Sequence, residues 1–180
     1  AMLSAEHDLV LYDVGAGAVR HVFTGGSILR NPNGNRSFAA EGAMLPSTTN
    51  GNWGLLTAMG REDALEVRFR EYERRADDVR IATRLRFASG WVDVLQTVTP
   101  PKAGEKRELR IETRVDSVPA GGLVELPVLV SSNRWRLDTE AADRAEARPT
   151  LANGATGWLS WDLPAATVPA LPALVRRADW

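Results

Sequence analysis

EDALEVRFREYERRADDVRIATRLRF occupies residues 62–87, and its reading decides the fold. Two periods run through it. Leu65, Phe69, Tyr72, Ala76 and Val79 recur at helical spacing, and Asp63 with Glu66 has the make-up of a capping pair. Against that, Leu65, Val67 and Phe69 alternate strictly. Val79, Ile81, Thr83, Leu85 and Phe87 do the same, with Arg80, Arg84 and Arg86 between them. Sustained alternation belongs to a strand with one dry face and one wet face. Residues 62–78 carry both readings. We take the strands, with Ala76–Asp77–Asp78 as the corner between two antiparallel partners.

The same rhythm continues on both sides. WVDVLQTV (91–98) follows Ser89–Gly90. RELRIETRV (107–115) sets Leu109, Ile111, Thr113 and Val115 against Arg110, Glu112 and Arg114. LVLYDV (9–14), AVRHVF (18–23), NWGLLTAMG (52–60), NRWRLD (133–138) and GWLSWDL (157–163) read as further strands. LVELPVLVS (123–131) is another, and Pro127 inside it marks an edge or a bulge. Pro32–Asn33–Gly34, Asn50–Gly51 and Asn153–Gly154 supply turns. Many short strands without strand–helix alternation predict an all-β fold, an antiparallel β-sandwich over residues 1–163. One short helix is expected near 139–148, capped by Asp138 or Thr139 and ended by Pro149. Pro164, Pro169 and Pro172 predict an extended strap over 164–180.

The composition narrows the chemistry. A chain of 180 residues fits one domain, or one domain with an appendage. A net charge of −1 argues against a nucleic-acid binder. Without cysteine there is no disulfide, thiolate metal site or cysteine nucleophile. Twenty of the 22 basic residues are arginine, which we read as codon usage and not as phosphate chemistry. No apolar run approaches the ~18 residues of a membrane span. AMLSAEHD at the start shows no leader pattern.

VGAGAV (14–19) imitates a dinucleotide-binding loop, but Arg20 stands where the third glycine belongs and Gly25–Gly26 follow too soon for a helix. A hairpin turn explains the glycines better. Tyr12 and His21, not far from each other across that hairpin, are the candidate acid–base pair; the alternative is a half-buried strand histidine. Two histidines without a carboxylate cluster make no zinc site, and no oxygen-rich calcium loop exists. No metal and no cofactor are expected. Asp93, in an apolar strand, is expected to point outward. Six tryptophans are generous for this length, and flat indoles stack on sugar rings. Trp91, Trp135, Trp158 and Trp161 are the candidates, with Arg84 and Arg86 as guanidinium forks for acidic groups. Trp158 and Trp161 have opposite parity, so one of them is expected to face solvent. The interleaved Glu66, Glu71, Glu73, Glu108 and Glu112 give the bland alternative, a solvated face of ion pairs.

RLRFASGWVDVLQTVTPPKAGEKRELRIETRVDSVPAGG (84–122) resembles the strand rhythm of the C-terminal sandwich of heparinase II/III-like polysaccharide lyases and related supersandwich domains. There an arginine-bearing strand leads through a turn into a strand ending in Asp–Arg or Asp–Ser, as Val115–Asp116–Ser117 does here. The resemblance implies a carbohydrate-associated module; the sequence does not fix a compartment, and an extracellular or periplasmic one is favoured slightly over the cytoplasm. In that family a helical toroid carries much of the active site. None of its catalytic residues maps onto this chain. The expectation is therefore a module that binds or helps position a glycan, of the kind that could be excised from a polysaccharide-processing enzyme. If it is catalytic, it is a polysaccharide lyase or glycoside hydrolase. The alternative is a structural or assembly protein whose sheet and C-terminal strap contact a second copy or a partner domain.

Overall fold

A computed structural model of the chain shows an all-β architecture of antiparallel sheets. It describes residues 2–5, 8–24, 28–30, 38–40, 43–44, 49–50, 52–100, 107–129, 134–137, 140–142 and 149–163, with side chains at 10–24, 52–100, 107–127 and 149–163. The predicted strap, 164–180, lies outside the described residues.

Strands β1 (Met2–Ala5), β2 (Asp8–Asp13) and β3 (Ala18–Thr24) form a meander. Strands β4 (Ile28–Arg30) and β5 (Phe38–Ala40) pair with each other, and β6 (Ala43–Met44) adds to β3. After β7 (Thr49–Asn50) comes the hairpin of β8 (Gly54–Thr57) and β9 (Gly60–Asp63). Four long strands then pair in succession: β10 (Glu66–Arg74), β11 (Val79–Phe87), β12 (Gly90–Thr99) and β13 (Glu108–Asp116). Strand β14 (Leu123–Glu125) lies beside β8, and β15 (Val128–Leu129) beside β7. Strands β16 (Arg134–Leu137) and β17 (Glu140–Ala142) form a hairpin, and β18 (Thr150–Leu151) joins β14. Finally β19 (Thr156–Asp162) inserts between β13 and β16. A seven-stranded sheet results, in the order β10-β11-β12-β13-β19-β16-β17.

The alternation in the sequence builds this sheet directly. Ile81, Thr83, Leu85 and Phe87 are buried, while Arg80, Ala82, Arg84 and Arg86 stay partly or fully exposed. Cross-strand partners point to the same face. Val92, Val94, Gln96 and Val98 therefore line up with Leu109, Ile111, Thr113 and Val115, and then with Leu159 and Trp161. This inner face shares one core with Val10, Tyr12, Val19 and Val22 of the N-terminal meander and with Leu55, Val124 and Leu151 of the β18-β14-β8-β9 sheet. The packing is sandwich-like, with one sheet face dry and the other in water.

Residues 62–87 are two strands. The Arg75 N–H donates to the Asp78 carbonyl at 2.9 Å and closes the corner at Ala76–Asp77. The pairing of β10 with β11 skips Arg70, so Phe69 faces Thr83 and Glu71 faces Ala82. That bulge turns a spacing of two into a spacing of three between Phe69 and Tyr72, and so imitates a helix period.

The helix expected near 139–148 is corrected. Glu140–Ala142 is a strand in register with Arg136 and its neighbours, Trp135 facing Ala142 and Leu137 facing Glu140. Alanine and glutamate are good helix formers, but propensity is a weak bias that tertiary pairing overrides, and a helix of about ten residues is marginal on its own. Pairing along a sheet edge satisfies the same backbone groups. The rest of that stretch, 139 and 143–148, lies outside the described residues. Pro127 ends β14 and separates it from β15, which pairs in another sheet.

Candidate functional site

The glycine stretch that imitates a cofactor loop is a hairpin turn between β2 and β3. A phosphate cradle needs free backbone N–H groups. Here Asp13 Oδ1 accepts the N–H groups of Gly15 and Ala16 at 2.9 and 3.2 Å, and Arg20 Nε pairs with Oδ2 at 3.2 Å. Burial alone would raise the Asp13 carboxyl. The hydrogen bonds from Ala16, Arg20 and Gly15 outweigh it and hold the group below its ordinary range. From below, the indole N–H of Trp53 is shared between the carbonyls of Ala16 and Gly17 at 3.1 and 3.2 Å. Gly17 has φ +62°, and a Cβ there would lie 3.1 Å from both Trp53 and Val67. Only glycine fits this crossing.

The structure does not bring Tyr12 and His21 face to face. The β2–β3 ladder slips between Leu11 and Tyr12, so His21 sits across from Leu11 and Tyr12 across from Val19. Tyr12 is buried, and His21 is on the partly exposed side near Phe23. The Tyr12 hydroxyl donates to Gln96 Oε1 at 2.5 Å, and Gln96 Nε2 reaches Thr113 Oγ1 at 3.4 Å. Burial, reinforced by the adjacent Asp13 charge, pushes the phenol well above its ordinary value. It is a neutral donor tying two sheets together. Tyr12→Phe is expected to cost about 1–2 kcal/mol in urea unfolding by stranding the Gln96 oxygen. His21→Ala, in a half-wet position, should cost less.

The outer face of the seven-stranded sheet gathers most of the other candidates. At its β10–β12 corner, Arg86 stands beside Trp91 in register and Arg84 beside Asp93. The guanidinium of Arg68 lies 4.8 Å from the Trp91 ring centroid and that of Arg84 5.5 Å from it, both within cation–π range. Glu66 holds Arg68 at 2.6 Å and Arg86 at 3.5 Å, and the Arg68 hydrogen bond holds the Glu66 carboxyl below its ordinary range. Arg84 Nε lies 3.1 Å from Asp93 Oδ1, but its N–H is not aligned for a hydrogen bond, so the contact is purely ionic.

Asp93 points outward and is the direct cross-strand partner of Asp116. Facing like charges repel. Each carboxylate engages its own arginine, Asp93 with Arg84 and Asp116 with Arg114 at 2.9 Å. Ser117, at φ +62°, also donates to Asp93 Oδ2 at 3.1 Å. A non-glycine residue in that conformation is strained, and strain gathers at functional sites. Beside this pair a depression of about 350 Å³ opens, lined by residues that include Arg70, Ala82, Asp93, Leu95 and Asp116.

A second indole lies on the same face. Trp158 donates its Nε1–H to Glu112 Oε2 at 2.8 Å and carries the Arg110 guanidinium 5.1 Å from its ring centroid. From the register, Trp158 stands about 20 Å from Trp91 along the strands and about 10 Å across them. Trp161 turns inward and is 6% exposed, so its indole fills core and offers no face to a sugar. Trp135 lies across from Leu159 on β16; its side chain lies outside the described residues. Reading the residues one strand at a time missed Arg68 and Arg110 as partners of the indoles and Asp93–Asp116 as a pair. All three depend on cross-strand register.

Among the described residues no group of three or more His, Asp or Glu could hold a metal ion, and no helix is long and apolar enough to cross a membrane. Compared with protein-family models, curated proteins and solved structures, the chain matches none of them.

Proposed function

We propose that the chain is a carbohydrate-associated module that binds an acidic glycan on the outer face of its seven-stranded sheet, at the Trp91 corner. The observation that carries this reading is the seating of Arg68 and Arg84 over the Trp91 ring, with Arg86 beside it in register. Guanidinium forks take up the carboxylate or sulfate of an acidic sugar, and an arginine drawn aside by that anion frees the indole face for the sugar ring. The neighbouring depression gives the next sugar a floor of Ala82 and Leu95. Asp93 and Asp116 fit the role of orienting groups: both are ion-paired, and each retains acceptor capacity for a sugar hydroxyl. The resemblance to the sandwich of polysaccharide lyases points the same way.

The test is isothermal titration with neutral and uronate- or sulfate-bearing oligosaccharides, read together with tryptophan fluorescence. Binding is expected for the acidic members and should weaken as salt rises. Trp91→Ala should weaken it at least tenfold, about 1.4 kcal/mol. The proposal fails if no member of the panel binds, or if Trp91→Ala binds as well as the parent.

A further inference from the structure

Strand β10 ends the seven-stranded sheet, and among the described residues nothing pairs with its outer edge. Phe69 and Tyr72 share the inner face with Thr83 and Ile81, yet they are 43% and 68% exposed. The core stops at Val67, and two aromatic rings continue past it into solvent.

The charges along this edge are ordered. Counted outward from the Arg70–Glu71 junction, Arg70 is matched by Glu71, Arg68 by Glu73, and Glu66 by Arg75. The pattern is antisymmetric, and an antiparallel two-fold requires that of a strand meant to meet its own copy. The bulge completes the match. Because Arg70 and Glu71 together occupy one ladder position, a dyad through them faces Phe69 with the copy's Tyr72 on the inner side and Arg68 with the copy's Glu73 on the outer side. In the two ladder registers nearest to this one that keep both faces, Glu66 meets Glu73 or Arg68 meets Arg75. Val67 then faces Arg74 without repulsion. Charges of one sign blunt a sheet edge against pairing; this alternation instead selects a single register.

We infer that a second copy of this chain docks on β10, edge to edge about a two-fold axis, joining the two seven-stranded sheets into one. The interface is isologous, so every contact occurs twice. The pairs Arg68–Glu66 and Arg75–Glu73, at 2.6 and 3.2 Å, become two closed rings of four alternating charges. The four rings of Phe69 and Tyr72 cover one another across the axis.

Sedimentation equilibrium of the full chain across micromolar concentrations tests this. The expected result is twice the chain mass at the upper end. Glu73→Arg places like charges across the dyad in two places and should raise the dissociation constant about tenfold or more. Arg68→Glu with Glu73→Arg restores opposite signs and should recover association. Circular dichroism matching the parent shows that each variant is folded. A monomer mass throughout overturns the inference, as does a dimer indifferent to Glu73→Arg or a double variant weaker than the single one.

Discussion

Trp53→Ala is expected to destabilise the fold by about 4 kcal/mol, the scale for emptying a fully buried aromatic site. Trp53 is 1% exposed, just before β8, where the β2–β3 turn crosses the seven-stranded sheet. Its ring fills the space under the turn, and its N–H serves the Ala16 and Gly17 carbonyls. Alanine would leave a cavity and two unserved acceptors. The two contributions can be separated. Trp53→Phe keeps most of the volume and loses only the donor, so it should cost about 1–2 kcal/mol. Urea unfolding of the three proteins measures both. If Trp53→Ala lost less than Trp53→Phe, the turn would not be resting on this residue.

Arg61→Leu is the second large effect, at about 3 kcal/mol. Glu125 on β14 is 6% exposed, and Arg61 Nε meets its Oε2 at 2.7 Å. The pairing with Glu125, and then with Asp63, raises the guanidinium above its ordinary value. Gly54 lies between their strands, and a Cβ on it would come within 2.9 Å of Glu125 Oε2 and 3.0 Å of Arg61 Nε. The glycine clears the space in which the pair forms. Removing one member of a buried pair takes away the main countercharge of the other and costs up to roughly 3–5 kcal/mol. The Arg61 side chain is about a third exposed, which places the effect at the lower end. Arg61→Leu with Glu125→Leu removes the buried carboxylate along with its countercharge, so the double variant should recover most of the loss in the same measurement. A double variant as unstable as the single one would mean that the pair's ionic character is immaterial.

The long strands were readable because a single rule governs them. From Ile81 to Phe87 and from Leu109 to Val115, every second residue is apolar or threonine, and the structure buries those residues. Legibility failed where a local irregularity or a distant partner intervened. The bulge at Arg70 gave β10 a mixed period, and Glu140–Ala142 looks helical until β16 supplies its hydrogen bonds. Opposite parity showed that Trp158 and Trp161 face different ways. Which of them is buried depends on pairing with β13, where Ile111 and Leu109 mark the dry side. Tyr12 and His21 looked paired because a regular hairpin would bring them together; the slip between Leu11 and Tyr12 turns them apart. The site is the least local feature. Arg68 meets Trp91 across an intervening strand, and Asp93 meets Asp116 across the connection from β12 to β13.

Arg70 is the residue of β10 that no residue of β11 opposes. It is a spare unit of length. A shorter chain lacking only this position would keep Phe69 over Thr83 and Tyr72 over Ile81, because removing the surplus restores a plain pleat. Loss of any of the four residues before it would turn part of the strand over, sending carboxylates and guanidiniums toward the oily side. Descendants of this sequence can therefore shed a codon here with both faces of the strand kept, and almost nowhere else along the same strand.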